Sequence, residues 1–318
     1  MTNLLPQVSM LSKEDRMREL VNLFLKGRKK TTLDAYQGDL EDFRMFVGSS
    51  SVDEAMNALL SLDHGNANFV AMSYRNHLFE RSLSPATINR RLAALRSIVR
   101  LANLIGLVYF KIEVANEKVL LTKDVRGPDK DGIKAIFDSL SRRTDEKGIR
   151  DLAIVTLFYS NGLRSFELIN IDMADLDLGH NRLKILGKGR SEKEWIDIPE
   201  ITKSRIEAWI QIRGLDNGPL FINLDRSKRR PGRISLVGMY KIIERIGRNL
   251  GLKLRPHKLR HASVGEALKQ AIQHGLRLDD VLKFSRHLSL QSLQAYLDAY
   301  GNPQGEISEL ISRTLKEK

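Results

Sequence analysis

The sequence predicts a mainly α chain of two domains, an N-terminal helical domain followed by an α+β domain with a small antiparallel sheet. Apolar residues recur at helical spacing through the first third of the chain. The period breaks around Gly127-Pro128, a strong punctuator. Further on, RLKILGKGRSEKEWIDIP alternates apolar and polar residues on both sides of a Gly-Lys-Gly centre, which reads as a hairpin. A length of 318 residues leaves room for a sizeable core in each domain.

In chain order, the first amphipathic segment runs from about Lys13 to Lys26. A second starts near Thr31 or Thr32 and carries Leu33, Tyr36, Leu40, Phe43 and Phe46 on one face. A third covers about Asn68 to Arg81. The fourth, SPATINRRLAALRSIVRLANLIG, has Ser84 as its N-cap and Pro85 at the first helical position. Ile88, Leu92, Leu95 and Val99 form its apolar stripe, with Arg90, Arg91, Arg96 and Arg100 off it. These four helices make the first domain, residues 12–107. Residues 108–129 read as a linker, and 130–318 as the second domain. There, helices are expected from Lys130 and over about Gly148 to Tyr159. A short strand near Asp175 to Leu178 joins the hairpin in an antiparallel sheet. Helix resumes after Pro199.

Charge narrows the function. Lys and Arg total 52 against 39 Asp and Glu, a net +13 with pI near 9.8. Such a balance points to a polyanion, with nucleic acid first. Candidate phosphate contacts are Arg28, Lys29 and Lys30 in the GRKK run, and Arg90, Arg91 and Arg96 on the fourth helix. For any one of them the alternative is a solvated helix face. There is no cysteine, which excludes disulfides, thiolate catalysis and cysteine-bound metal and fits a cytoplasmic protein. No apolar run is long enough to span a membrane, and the first residues lack a secretory pattern.

Four short stretches carry candidate chemistry. In SNGLRSFELI, Asn161-Gly162 interrupts the helical period and places Arg164 at the start of a new helix, where a guanidinium fork and a helix N-terminus both favour phosphate. Glu167 follows three residues on, and could equally be a first-turn acid facing the helix dipole. Lys188 sits on the Gly-Lys-Gly tip, either as an exposed turn residue or as a proton donor to a leaving oxygen. In RPHKLRHASVGEAL, His257 and Arg260 share a helix face, as do His257 and His261. The second pair permits a zinc reading, but Lys258 stands where the protease motif needs Glu. Otherwise His257 and Arg260 face a phosphate with His261 packed or hydrogen-bonded behind them. Finally, FSRHLSLQSLQAYLDAY places His287 upstream of Tyr296 and Tyr300. Leu290, Leu293, Leu297 and Tyr300 span about 80° of a helix, and Tyr296 lies about 40° beyond that stripe, where its hydroxyl could leave the core.

In this order the elements resemble the tyrosine recombinases, or phage integrases. The matching residues are Arg164 in NGLRSFEL, Lys188 in LGKGRSEKEWIDIP, His257 and Arg260 in HKLRH, His287, and Tyr296 nine residues later. The resemblance covers the chain from about Ser12 to its end. The family usually has Gly where Arg286 precedes the second histidine, and the 27-residue interval from Arg260 to His287 is longer than in its compact members.

The resemblance implies a SAM-like core-binding domain and a catalytic domain. Tyr296 would attack phosphorus to form a 3′-phosphotyrosine. Arg164 and Arg260 would neutralise the nonbridging oxygens. His257 would act as base, His287 as a second phosphate contact, and Lys188 as acid to the 5′-oxygen. Glu167 would orient His257 or its neighbours. No cofactor or metal is implied. The implied partners are double-stranded DNA with inverted-repeat core sites and three further copies of the chain, a homotetramer on two duplexes. The segment Ile307 to Leu315 would dock on a neighbouring subunit or pack in cis. The alternatives are a type IB topoisomerase, which relaxes DNA as a monomer, and a DNA-binding protein with a decayed site. Too few residues precede Lys13 for an arm-binding domain, which favours a simpler two-domain recombinase.

Overall fold

The computed structural model describes residues 12–26, 30–118, 126–187, 190–224, 232–287, 289–300 and 303–314. The chain divides into two compact units, with the boundary after Leu120. The first unit holds five helices among the described residues: α1 (Lys13–Leu25), α2 (Lys30–Val47), α3 (Val52–Leu60), α4 (His64–Glu80) and α5 (Pro85–Leu104). The sequence reading has four. It lacks the nine-residue α3, and it starts α4 at Asn68 instead of His64. Side-chain caps explain both differences. Ser51 accepts from the Glu54 amide and opens α3, and Asp63 accepts from the Asn66 amide and opens α4. Helix α5 follows its prediction: Ser84 accepts from the Thr87 amide, Pro85 occupies the first turn, and Ile88, Leu92, Leu95 and Val99 are buried. The core includes Phe24, Leu40 and Phe43, with Phe43 meeting Tyr74 edge-on at 5.1 Å.

The stretch read as the start of a linker belongs to this unit. Residues 108–118 form no helix or strand, yet Val108, Phe110, Ile112 and Val114 are buried in the same core. Side chains hold their backbone. Asn68 donates to Lys111 O at 2.8 Å and accepts from the Glu113 amide at 2.7 Å. Arg96 donates to Val114 O at 2.9 Å and to Asn116 Oδ1 at 2.7 Å.

Three of the candidate phosphate contacts are thus engaged within the unit. Arg96 holds the extended stretch, and Arg90 Nη1 lies 2.5 Å from buried Asp39. Arg91 Nη1 lies 2.6 Å from Asp42 Oδ1. Its N–H is not aimed along that line, so this is an ion pair and not a hydrogen bond. Burial raises the Asp39 carboxyl above its ordinary range, although Arg90 and Arg91 pull it down. Arg28 and Lys29 lie outside the described residues, and Lys30 opens α2.

The second unit continues with α6 (Lys130–Ser141), α7 (Glu146–Ser160) and the short α8 (Ser165–Ile169). Strands β1 (Leu176–Asp177), β2 (Arg182–Leu186) and β3 (Lys193–Asp197) form an antiparallel sheet in the order β1-β2-β3. Leu183 pairs with Ile196 in the hairpin the alternation predicts. Then come α9 (Glu200–Arg213), α10 (Leu236–Asn249), α11 (Pro256–Gln273), α12 (Leu278–Ser285), α13 (Gln291–Tyr300) and α14 (Pro303–Thr314). Helix α7 is buried along nearly its whole length because α6, α9 and α11 all pack on it. Gly127 explains how the chain enters the unit. A Cβ there would lie 2.3 Å from Lys258 O and 2.5 Å from Ala262 Cβ, so only glycine can pass against the start of α11. A smaller cluster joins Val264, Leu268 and Ala271 of α11 to Val281, Leu293 and Tyr296. It seats α12 and α13 on α11.

Candidate active site

The site assembles where α7, α8, α11 and the α12–α13 connection converge. Helix α7 stops at Asn161, and Gly162 turns the chain with φ +55°. Arg164 then stands at the N-cap of α8, where sequence places the start of a helix. Glu167, three residues on, is fully buried. It accepts from the Arg164 amide at 2.8 Å and from Arg164 Nη1 at 2.7 Å. Its other cationic partner is Arg286, at 3.2 Å. Its carboxylate thus orients two guanidinium groups, those of Arg164 and Arg286. Burial acts to raise its pKa, but Arg286 and Arg164 outweigh it and hold the carboxyl below its ordinary range.

Pro256 starts α11 and fixes the register that puts His257, Arg260 and His261 on one face. Arg260 is 1% exposed. Its two terminal nitrogens donate to the carbonyls of Gly162 and Ser285. One of them also lies 3.4 Å from His287 Nε2. On its other side, His287 Nδ1 meets Ser285 Oγ at 2.9 Å. Burial, with Arg164 and Arg286 nearby, pushes Arg260 down to about 9, so it remains a cation at neutral pH. Burial and the same cationic surroundings, led by Arg260, push His287 down to about 4, so this imidazole is neutral.

Arg286 ends α12 in the left-handed region, at φ 54° and ψ 40°. Glycine enters that region without strain. Here an arginine adopts it and uses its side chain. Its guanidinium donates to Phe284 O at 2.9 Å and to Gly162 O at 2.7 Å, and its own carbonyl accepts from Arg164 Nη2 at 2.8 Å.

Tyr296 is 3% exposed, in contrast to the expected position at the edge of the stripe. The packed face of α13 runs through Leu293 and Tyr296, and Leu290, expected to pack, is 51% exposed ahead of the helix. The Tyr300 side chain lies outside the described residues. The Tyr296 hydroxyl shares a 2.6 Å hydrogen bond with His261 Nδ1. His261 meets His257 edge-on at 4.2 Å between ring centroids, and His287 lies 5.9 Å from the Tyr296 ring. His261 is thus a site residue that sequence reasoning treated as background. The signal was its spacing from His257, which also suggested zinc. Among the described residues no group of three or more His, Asp or Glu could complete a metal site.

A cleft of about 450 Å³ opens beside this cluster, between Arg164, Arg286 and His287 on one side and Gly187, Arg190 and Trp195 of the hairpin on the other. Lys188 lies outside the described residues. Its described chain neighbours Gly187 and Arg190 both line the cleft.

A site that gathers guanidiniums, a neutral imidazole and a buried phenol on a mainly helical unit suits an anionic phosphate ester. The pattern of the phage integrase family matches residues 129–302, and the chain belongs to that family, the tyrosine recombinases. A tyrosine recombinase of Synechococcus elongatus is 33% identical over 295 residues, covering 91% of each chain. The XerC recombinase of Thermodesulfovibrio yellowstonii is 28% identical, over 85% of this chain and 86% of that protein. Among solved structures, the XerH recombinase bound to a palindromic difH substrate superposes with TM-score 0.66 at 17% identity. It covers 96% of this chain and 86% of that one. The Tn1549 transposon integrase bound to transposon right-end DNA gives TM-score 0.66 at 15% identity, over 93% and 99%. The two-domain, mainly helical fold with its small sheet is that of these recombinases.

Proposed function

We propose that this recombinase cleaves and rejoins DNA strands through Tyr296, forming a covalent 3′-phosphotyrosine. The observation that carries the reading is the meeting of Arg164, Arg260, His287 and Tyr296 from separate elements in one cluster beside the cleft. Attack on a phosphodiester adds negative charge to its nonbridging oxygens, and Arg164 and Arg260 are the cations to receive it. Besides the Glu167 pair of Arg164, both donate to neutral backbone carbonyls, and a phosphate anion in their place adds an ion-pair attraction that those carbonyls lack. His287, as a neutral imidazole, contacts the phosphate without adding charge. His257 lies beside His261 as a further imidazole for that phosphate. Lys188 protonates the leaving 5′-oxygen. The phosphotyrosine keeps the bond energy, so a 5′-hydroxyl of a second duplex reverses the step.

The basic composition supports double-stranded DNA as partner. The palindromic substrate of the XerH complex supports core sites arranged as inverted repeats. We read the working unit as a homotetramer on two duplexes, with α14 docking on a neighbouring copy. A nicked duplex, built on the site this chain selects from a random-sequence pool, tests the chemistry. Wild type should trap a covalent adduct, and Tyr296→Phe should form none. An adduct that persists in Tyr296→Phe removes Tyr296 as nucleophile.

A further inference from the structure

We infer that His261 is the proton acceptor for Tyr296. The inference rests on Tyr296 being the nucleophile, as proposed above. It differs from the sequence expectation, which gives this role to His257.

A tyrosine hydroxyl has an ordinary pKa near 10, so attack near neutral pH needs a base within hydrogen-bond reach. His261 Nδ1 is 2.6 Å from the hydroxyl, inside that range. Both groups are buried, so bulk water has little access to the hydroxyl. The two helices that carry them are packed together through Val264, Leu268 and Leu293, which fixes the approach. His261 is also the chain neighbour of Arg260, so the base and the phosphate clamp stand on consecutive residues of α11. His287, the other imidazole packed on the Tyr296 ring, has its own nitrogens directed at Ser285 and Arg260.

The step balances without any added reagent. In the tautomer with its proton on Nε2, His261 accepts the Tyr296 proton at Nδ1 and becomes imidazolium. The phenolate oxygen forms a bond to phosphorus, and the bond from phosphorus to the 5′-oxygen breaks. That oxygen takes a proton from the general acid. On rejoining, the deprotonated general acid takes the proton of the 5′-hydroxyl, whose oxygen bonds to phosphorus as the bond from phosphorus to the Tyr296 oxygen breaks, and His261 returns its proton to the phenolate. One imidazole then serves both directions.

His261→Asn separates holding from proton transfer. An amide can accept the hydroxyl hydrogen bond near the Nδ1 position, but it cannot take the proton. With the nicked duplex described above, His261→Asn should bind DNA within a few-fold of wild type and melt near the wild-type temperature. Its adduct should form about 100-fold more slowly or worse, the lower end of general-base contributions. His261→Ala should be comparably slow, and added imidazole should restore its rate at least several-fold. Adduct formation by His261→Asn at the wild-type rate overturns the inference. So does an Ala variant that binds DNA but gains nothing from imidazole. If wild type itself forms no adduct, or Tyr296→Phe still forms one, the failure lies with the nucleophile assignment. If those controls behave and only the His261 variants are unaffected, the base assignment alone is wrong.

Discussion

At the scale of single residues, Arg286 sets two effects against each other. An L-residue in the left-handed region costs about 1 kcal/mol or more relative to glycine. In return, its side chain joins the Asn161–Gly162 turn, the Phe284 carbonyl and Glu167. Removing one partner of a buried ion pair typically costs about 3 to 5 kcal/mol, and less here because Glu167 keeps Arg164. The side-chain effect is the larger. Both Arg286→Gly and Arg286→Ala should therefore be less stable than wild type, by about 2 kcal/mol or more. The Ala variant should be the worse by about 1 kcal/mol, because it keeps the backbone strain and loses the contacts. Urea denaturation midpoints measure both differences. Glycine matching or exceeding wild type would show that the arginine contributes no net stability.

At the scale of elements, the parts legible in the sequence are those whose signal is local. Ser84 and Pro85 announce α5, the Gly-Lys-Gly alternation announces β2 and β3, and Asn161-Gly162 announces the break that places Arg164. What sequence could not show depends on partners distant in the chain. The burial of Tyr296 is decided by how α13 sits on α11 and α12, so a stripe drawn from α13 alone chose the wrong edge. His261 could be placed on the face of His257, but its acceptor role needs a hydroxyl 35 positions away. In residues 108–118 the alternation of Val108, Phe110, Ile112 and Val114 was present, but without a pairing strand it read as irregular linker. Ile112→Ala should lower the stability of the first unit by about 2 to 5 kcal/mol, the usual cost of a buried isoleucine truncation. A true linker residue would cost almost nothing. Thermal unfolding followed by a probe confined to that unit tells the two apart.

At the scale of the whole molecule, the cationic cluster makes stability depend on pH. His287 is held near 4, below its ordinary 6.5, by burial and by Arg260, Arg164, Arg286 and His257. Between those values the unfolded chain binds more protons at this position than the folded chain. Stability is therefore complete above about pH 6.5 and falls as pH drops toward about 4. Glu167, whose pKa is also held low, adds its own loss when acid reaches it. His287→Gln should show a shallower decline in melting temperature from pH 6.5 to 4, and an unchanged slope would remove His287 as the cause.

The stretch 108–118 has a consequence of another kind. An extended backbone with alternating apolar residues is an open template, ready to recruit a strand from another molecule. Here the invitation is withdrawn locally. Asn68 engages both Lys111 and Glu113, Asn89 donates to the Glu117 carbonyl and accepts from its amide, and Arg96 takes the Val114 carbonyl. Two carboxamides and a guanidinium imitate the neighbour that a sheet would have supplied. The helical unit thereby carries a segment of alternating apolar residues without offering a sticky edge.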